Sequence, residues 1–324
     1  MDTLNEIKSP IKEEMLLFEH KFKTILRSNV PLLDKIMHYV IKRKGKQMRP
    51  MFVFLSAKLC GNITEGTYIA ASLIELLHTS TLVHDDIVDE SNFRRGFLSI
   101  NALWKNKIAV LVGDFLLSRG LILAVDHSKY DLLKIVSEAV KKMSEGELLQ
   151  IEKARRLDIN ESVYFEIIKQ KTAALISACC ACGASSVTQN NDVIKELHLF
   201  GEMSGIAFQL KDDLFDYLQD PIIGKPTGID IREQKMTLPL IYTLNNSNRP
   251  VKNKIINTIK NNHKNNKKVA EIINFVKRGG GMEYTIKKMN EYHQKALDVL
   301  EKFEENDAKV ALKKMIDFVI SRKS

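Results

Sequence analysis

Residues 70–89 read AASLIELLHTSTLVHDDIVD, an apolar run with helical periodicity that ends in the acidic motif DDIVD. A second motif of this kind, DDLFD, occupies residues 212–216, directly after the apolar run 206–210 and one lysine. In each motif the first and last aspartates are four residues apart, so they share one face of a helix. Like charges at that spacing destabilise a helix by about 0.2–0.5 kcal/mol per pair, and we therefore expect a cation to compensate them.

A divalent cation is the partner that two such motifs favour. Hard cations such as Mg²⁺ take carboxylate oxygens and share phosphate oxygens with a substrate. The alternative is a pair of solvated acidic helix ends, and a single DDxxD motif would not decide between the two. The second copy, also embedded in apolar sequence, favours the metal site. Its carboxylates would be Asp85, Asp89, Asp212 and Asp216.

The composition is typical of a soluble protein. The chain has 324 residues, of which 44% are hydrophobic and 27% charged, enough for one large domain or two ordinary ones. We find no uninterrupted apolar stretch of the roughly 18 residues that a membrane span needs, and the mixed-charge N-terminus does not resemble a signal peptide. Three of the four cysteines crowd into residues 179–182, which suits neither disulfides nor zinc. We therefore expect a cytoplasmic protein with small buried cysteines.

The net charge of +9 raises the question of a polyanionic partner. Nucleic acid is not favoured, because the basic residues do not form a stripe interleaved with aromatic residues. Many of them lie in Asn/Lys-rich stretches such as residues 261–268, which are typical of solvated surface. Others lie in short basic segments at predicted helix boundaries. We expect small anionic substrates.

Helical periodicity dominates the chain, and no strand-like alternation bounded by turn residues is found. The sequence therefore predicts an all-α protein with a single domain over residues 1–324. Residues 245–268 are polar and Asn/Lys-rich and are interpreted as a peripheral excursion of that domain. The predicted helical segments are 32–41, 51–59, 67–83, 107–125, 132–151, 162–184 and 193–217.

The basic segments suit phosphate groups. In residues 45–50 a glycine can end one helix and a proline can begin the next, which places Lys46 and Arg49 at a helix N-terminus. Arg94 and Arg95 follow the first acidic motif. Each segment taken alone would be interpreted as basic surface. The others are Lys171-Thr172, within a helix of small residues, and Lys225 and Lys235, in a loop able to close over a phosphate.

Taken together, these motifs resemble the trans-isoprenyl diphosphate synthases of the polyprenyl synthetase family. The similarity runs over nearly the whole chain. The family usually has a double glycine and Lys-Arg where this chain has Lys44-Gly45 and Lys46-Gln47, and a glycine where it has Gln234. The matching segments are GKQMRP at 45–50, ELLHTSTLVHDDIVD at 75–89, RR at 94–95, GD at 113–114, GELLQ at 146–150, KT at 171–172, GIAFQLKDDLFD at 205–216, and GKPTGID with KMTLP within 224–239.

The resemblance implies a helical bundle of the isoprenoid synthase type with a central substrate cavity, and a head-to-tail condensation. An allylic diphosphate such as farnesyl diphosphate would be held by Mg²⁺, three ions with substrate bound, and isopentenyl diphosphate would attack it. Asp85, Asp89 and Asp212 would hold the metal, supported by Asp213 and Asp216. Positive charge on the allylic diphosphate would come from Arg94, Lys171, Lys225 and Lys235. The residues implied to be catalytic are Asp85, Asp89, Lys171, Asp212, Lys225 and Lys235.

Isopentenyl diphosphate would bind to a second set of residues, with Thr172 and Gln209 lining the same cavity. His78 lies seven residues before Asp85, on nearly the same helix face, and is assigned to the substrate rather than to the core. His84 is expected to be structural. The isopentenyl site would consist of Lys46, Arg49, His78 and Arg95.

Product length is expected to depend on the helix before the first motif. Thr81 lies one turn before Asp85 and Ser80 adjoins it, so a growing hydrocarbon tail must pass both. Both are small, which predicts an open tunnel and a product longer than C20, as for a quinone side chain. Leu77 and Ile74 would line its continuation, with residues 116–123 as the opposite wall.

Several alternatives remain at this point. A short-chain farnesyl or geranylgeranyl diphosphate synthase, or a non-catalytic subunit of a heteromeric synthase, would share most of the motifs. A terpene cyclase would carry a different second metal motif, and a structural ion-binding protein would have no use for the basic segments. The resemblance also implies a homodimer. A long apolar product would favour transient contact of the protein with a membrane surface when the product is released.

Overall fold

The computed structural model describes residues 3–42, 45–94, 96–218 and 227–321. Within them the protein is all-α, apart from two antiparallel two-residue strands, Phe93–Arg94 and Phe97–Leu98. The helices are α1 Thr3–Lys8, α2 Lys12–Ile25, α3 Pro31–Lys42, α4 Met48–Cys60, α5 Glu65–Val88, α6 Ile100–Asp126, α7 Tyr130–Arg156, α8 Glu161–Ile168, α9 Ala174–Ser185, α10 Asn191–Phe215, α11 Ile229–Arg232, α12 Leu238–Asn245, α13 Arg249–Asn262, α14 Asn266–Arg278, α15 Gly281–Leu300 and α16 Asp307–Ser321.

These helices confirm the predicted all-α class and overlap every predicted helical segment. Some local features were not predicted. Residues Lys169–Ala173, between α8 and α9, form a π-helical turn, and a 3₁₀ turn at Ser9–Ile11 joins α1 to α2. Helix α6 begins before the predicted segment, and its helical dihedrals are interrupted at Lys105, where φ is 75°.

The chain folds into two compact units. The first unit comprises Met1–Glu138, Ala178–His198 and Glu304–Leu312. The second unit comprises Ala139–Ser177, Leu199–Phe303 and Lys313–Ser324. The prediction of a single domain over residues 1–324 stays a prediction.

The first unit has a core between α2, α3, α5 and α6. Leu26, Met37, Leu76 and Leu116 are among its buried side chains. Burying a side chain of this size contributes about 1.5–3 kcal/mol. This core fixes the C-terminal half of α5, which ends in the first acidic motif.

Glycines permit the close packing of α6 on α5. A Cβ at Gly113 would lie 2.1 Å from Nε2 of His84, and one at Gly120 would lie 3.2 Å from the side chain of Leu73. His84 is thus packed over the backbone of α6, in keeping with the structural role expected for it.

The second unit has its core between α8, α10 and helices α12 to α15. Leu210 and Leu214 of α10, and Tyr217 just after it, are buried there with residues such as Leu240 and Ile272. The apolar face of α10 therefore holds the second acidic motif in place, as the core of the first unit does for the first.

Among the described helices, α6 is long and apolar enough to cross a membrane, judged by length and composition alone. Its most apolar 18-residue window has a mean hydropathy of 2.1, and 33% of that window is buried. The sequence contains no uninterrupted apolar run of this length, because charged residues such as Asp114 and Arg119 occur within α6.

Candidate active site

The first acidic motif lies at the C-terminal end of α5. The helix ends within the motif, where the backbone N–H of Asp89 donates to the carbonyl of Asp85 at 2.8 Å. Both aspartates are exposed. The end of α5 therefore presents two carboxylates to solvent on one helix face, as their spacing predicts.

The middle aspartate of this motif has a different environment. Asp86 is 4% exposed, and its Oδ1 accepts a hydrogen bond from Nε of Arg94 at 2.7 Å. Burial raises the pKa of Asp86, while the charge and hydrogen bond of Arg94 act in the opposite direction. Nδ2 of Asn101 donates to the Asp86 carbonyl at 3.2 Å. Arg94, predicted to bind substrate, thus ties the short strand pair to the end of α5.

A cavity of about 130 Å³ lies next to this motif within the first unit. His78, which is buried, and Arg94 line it together with Gln47 and apolar side chains such as Phe22 and Leu82. Lys46 is exposed and Arg49 is half-buried at the start of α4. The structure thus brings His78 and Arg94 to one cavity, and its lining does not include Lys46 or Arg49. Arg95 lies outside the described residues.

The second acidic motif ends α10, and its middle aspartate is again buried. Asp213 is 3% exposed and accepts two hydrogen bonds, from the Tyr164 hydroxyl at 2.6 Å and from Nε2 of Gln209 at 2.8 Å. The hydroxyl of Thr172 donates to Oε1 of Gln209 at 2.7 Å. Burial and, to a smaller extent, the charge of Asp230 together raise the pKa of Asp213 to about 8, against the two hydrogen bonds that lower it.

The outer aspartates of this motif are half-buried. Asp216 accepts hydrogen bonds from the backbone N–H groups of Ile229, at 2.7 Å, and Asp230, at 3.2 Å. Its carboxylate thereby caps the short helix α11, and burial raises its pKa despite these bonds. Asp212 occupies the position on α10 that Asp85 occupies on α5. Asp216 was predicted to hold metal, and the structure shows that part of its hydrogen-bonding capacity is used by α11.

Lys171 and Thr172 lie in the π-helical turn. Nζ of Lys171 forms an ion pair with Glu147 and lies 3.4 Å from Oε1 of Gln150, both on α7. Glycines of α7 and α10 pack closely on this turn. A Cβ at Gly146 would lie 2.9 Å from the backbone nitrogen of Lys171, and a Cβ at Gly205 would lie 2.5 Å from Cα of Ala173. The turn is therefore held between two helices at the position of the predicted phosphate-binding lysine.

Lys235 follows α11, and its Nζ forms an ion pair with Glu233. Nearby, burial raises the pKa of Asp230 to about 7, with Asp216 adding to the effect and Lys235 and Lys171 opposing it. Lys225 lies outside the described residues.

Gln234 stands where the family usually has glycine, and its φ is 58°. Such a left-handed backbone costs a non-glycine residue about 1–2 kcal/mol. Its side chain donates to the carbonyls of Ile259 at 3.2 Å and Lys260 at 3.3 Å. These bonds offset the backbone cost and fasten the loop to α13.

The predicted chain-length residues all lie on α5. Ile74 and Leu77 are buried, and Thr81 is half-buried. The hydroxyl of Ser80 donates to the carbonyl of Gly113 at 2.8 Å, which places Ser80 against α6. Thr81 donates to the carbonyl of His78 at 2.9 Å.

Sequence reasoning missed Tyr164, Glu147 and the role of Asp230. Tyr164 precedes Lys171 by seven residues, a spacing of two helical turns that places both on similar faces. That spacing is a signal for a shared surface, but nothing in the sequence pairs Tyr164 with Asp213. The Glu147 partner of Lys171 lies in the segment GELLQ, and nothing in the sequence pairs this glutamate with Lys171.

Comparison with known proteins identifies the family of the chain. The polyprenyl synthetase family model matches residues 30–276. An all-trans-nonaprenyl-diphosphate synthase (geranyl-diphosphate specific) of Rhodobacter capsulatus is 34% identical over 325 residues, covering 99% of each chain. A polyprenyl synthase of Caulobacter crescentus CB15, solved with calcium and isoprenyl diphosphate, has a TM-score of 0.90 at 31% identity, covering 99% of this chain and 98% of that one. A geranylgeranyl pyrophosphate synthase of Bacteroides thetaiotaomicron has a TM-score of 0.85 at 37% identity, covering 99% and 100%.

The chain belongs to the polyprenyl synthetase family, which confirms the resemblance found in the sequence. It is a prenyltransferase with the all-α fold of the isoprenyl synthases.

Proposed function

We propose that this prenyltransferase elongates an allylic diphosphate with isopentenyl diphosphate in a Mg²⁺-dependent reaction and makes a long all-trans polyprenyl diphosphate. The observation that carries the proposal is the repeated design of the acidic motifs. In each, the middle aspartate is buried and hydrogen-bonded, while the outer aspartates are more accessible. The middle carboxylate anchors the helix end, and the outer carboxylates, which lie closer to solvent, would bind a cation.

The donor set fits Mg²⁺. This ion is commonly bound by one or two carboxylates together with substrate phosphates and water, rather than by a complete protein cage. No group of three or more His, Cys, Asp or Glu side chains within the described residues is placed to hold a metal. Asp85 with Asp89, and Asp212 with Asp216, would be the residues that hold it. Bound Mg²⁺ would stabilise the charge that develops on the leaving diphosphate.

The basic residues divide between the two substrates. Lys171, Lys225, Lys235 and Arg94 would bind the allylic diphosphate, and Lys46, Arg49, His78 and Arg95 the isopentenyl diphosphate. The allylic carbon–oxygen bond breaks, and its electron pair leaves with the diphosphate. The double bond of isopentenyl diphosphate attacks the allylic cation, and a proton is then lost to the released diphosphate. No side-chain nucleophile is required, so these residues bind, orient and neutralise charge.

A long product is favoured by small side chains on α5. Thr81 and, less directly, Ser80 would leave space where an aromatic residue would end the tunnel, and the buried Leu77 and Ile74 would continue it. The relatives include synthases of both long and short products, so farnesyl or geranylgeranyl diphosphate is the alternative product. The long chain would serve as a quinone side chain, and its apolar character suits release at a membrane surface.

The protein is proposed to act in the cytoplasm as a homodimer. Its four cysteines are free, and burial raises the pKa of Cys180 to about 12, as expected for core residues in a reducing compartment.

Helix α6 carries an exposed apolar stripe, Leu111, Leu121, Ile122 and Val125, with spacings of three to four residues near its end. A second copy of the chain would cover it. Light scattering should show a dimer that I122D weakens, and a monomeric wild type would contradict this.

A product assay on the purified protein tests the function. Farnesyl diphosphate and labelled isopentenyl diphosphate are supplied with and without Mg²⁺, and the dephosphorylated products are separated by length. A ladder that extends beyond C20 only with Mg²⁺ supports the proposal. A short product would keep the reaction and reject the long chain. No incorporation would instead favour a non-catalytic subunit that needs a partner.

The tunnel assignment is tested by T81F. We expect the mutant to stop at a shorter product, because the ring would fill the space beside α5. S80F is the less direct variant, since Ser80 contacts α6 and a ring there would disturb helix packing. Unchanged product length in a folded, active T81F enzyme would reject Thr81 as a tunnel residue.

A further inference from the structure

The positive charge of the chain is concentrated in one helical hairpin. Helices α13 and α14, with the turn between them, span residues 249–278 and contain nine lysines and arginines but one acidic residue, Glu271. This segment has a net charge of +8, of the +9 carried by the whole chain. The remaining residues include 40 basic and 39 acidic ones, so they are nearly neutral. The excess charge is therefore local to this hairpin, hereafter the basic hairpin.

The basic hairpin has an apolar inner face and a polar outer face. Ile259 of α13 and Val269, Ile272 and Val276 of α14 are buried in the core of the second unit. The outer faces carry cations separated by asparagines. The exposed cations are Arg249, Lys254, Lys260, Lys264, Lys267, Lys277 and Arg278.

Most of this charge is not neutralised within the described residues. Lys268 is paired with Glu271 at 2.9 Å, and Nζ of Lys252 donates to Oδ1 of Asn245 at 3.3 Å. No carboxylate of the described chain lies within ion-pair distance of the exposed cations just named. Like charges at this density repel one another, so an anionic surface would lower the free energy of the hairpin.

A shallow cavity opens beside the outer face of α14. Arg278 lines it together with Asn246, Ser247 and Asn274. Glu271, which is paired with Lys268, also lines it. A guanidinium beside amide and hydroxyl donors suits a single phosphate group. The hairpin thus combines a diffuse positive surface with one pocket of phosphate-binding chemistry.

We propose that the basic hairpin docks the enzyme onto a membrane surface rich in anionic phospholipid. Clusters of four to eight lysines and arginines on a helical surface are typical of such docking. Nucleic acid is less favoured, because no aromatic side chain for base stacking is exposed among residues 249–278. The biological reason for docking rests on the proposed function, since a long polyprenyl product must reach a lipid phase.

Vesicle co-sedimentation of the full-length protein tests the proposal without any substrate, so its outcome is independent of the proposed reaction. Vesicles of phosphatidylcholine mixed with phosphatidylglycerol are compared with pure phosphatidylcholine, at low salt and at about 0.5 M salt, where charge interactions are screened. We expect binding to the anionic vesicles at low salt only. Equal binding to both lipids, or to neither, would overturn the proposal.

A charge-matched pair of variants locates the surface. The test variant replaces Lys254, Lys260 and Lys267 with glutamine. The control variant replaces three exposed lysines elsewhere, Lys12, Lys134 and Lys142, also with glutamine. Each lysine near an anionic surface changes partitioning about fivefold, so the test variant should bind roughly 100-fold more weakly. The control should bind more tightly than the test variant by at least tenfold, and both should retain prenyltransferase activity on soluble substrates.

Two results would contradict the assignment. Equal loss in both variants would mean that total charge, and not the basic hairpin, drives binding. Tighter binding to duplex DNA than to anionic vesicles at the same salt would assign the surface to nucleic acid instead.

Discussion

The middle aspartates of the two acidic motifs are both buried, yet they have different partners. Asp86 is paired with the guanidinium of Arg94, whereas Asp213 accepts hydrogen bonds from two neutral groups, Tyr164 and Gln209. A cationic partner compensates the buried charge of Asp86 directly. Neutral donors compensate the charge of Asp213 only partly, so burial, together with the charge of Asp230, raises its pKa to about 8. The same motif is therefore anchored by an ion pair in the first unit and by a pH-sensitive network in the second.

The largest expected effect is on catalysis, where the outer aspartates should be equivalent. D85N and D212N should each lower kcat roughly 100- to 1000-fold, because each removes charge that would hold the metal at the leaving diphosphate. Steady-state kinetics with saturating Mg²⁺ checks this. D298N, at an exposed site on α15, is the matched control and should retain wild-type activity. Loss of activity in only one of D85N and D212N would show that the outer aspartates of the two motifs are not equivalent.

The anchoring of the first motif is tested by R94Q. This variant leaves the Asp86 carboxylate buried without its cation and should lower the free energy of unfolding by about 2–3 kcal/mol. The expected loss of unfolding free energy is smaller than for a fully buried ion pair, because the Arg94 side chain is 36% exposed. Denaturant unfolding measures it. Adding D86N to R94Q should restore much of the loss, and a double variant as unstable as R94Q alone would argue against the ion pair.

The anchoring of the second motif is tested by Y164F, for which a smaller effect is expected. The variant removes one neutral donor to Asp213 and should cost about 1–2 kcal/mol of unfolding free energy. It should also lower prenyltransferase activity, because Asp213 adjoins Asp212. Tyr39 donates to the carbonyl of Leu98 in the first unit, and Y39F offers a control for the loss of a tyrosine hydroxyl. If Y164F were as stable as the wild type, the hydrogen bond from Tyr164 to Asp213 would not anchor the second motif.

The pH dependence of stability should distinguish the two anchors most finely. The pKa of Asp213 is raised above its usual value of 3.8 to about 8, so the folded state holds a proton that the unfolded state releases. Stability conferred by the neutral carboxyl is fully present below pH about 4 and declines as pH rises to about 8. D213N cannot ionise, so its stability relative to wild type should improve across this window in metal-free buffer. A pH-independent difference between the two proteins would contradict the raised pKa.

Much of the fold followed from periodicity, because apolar spacing in helices such as α5 and α10 is strong and uninterrupted. The outer aspartates, Lys171 and His78 could be proposed as site residues from the sequence, since their chemistry is apparent from residue type and spacing. The pairing of Asp86 with Arg94 and of Asp213 with Tyr164 was not, because tertiary packing decides which polar side chains meet. The π-helical turn escaped prediction for the same reason: it depends on the close approach of Gly146 and Gly205 from other helices.

The central proposal is that both acidic motifs are needed for Mg²⁺-dependent binding of the allylic diphosphate. Calorimetric titration of an unreactive thiolo analogue of farnesyl diphosphate into wild type, D85N and D212N tests it directly. We predict binding that requires Mg²⁺ and that weakens about tenfold or more in each variant. Binding by either variant with wild-type affinity, or binding by the wild type that is indifferent to Mg²⁺, would contradict the claim.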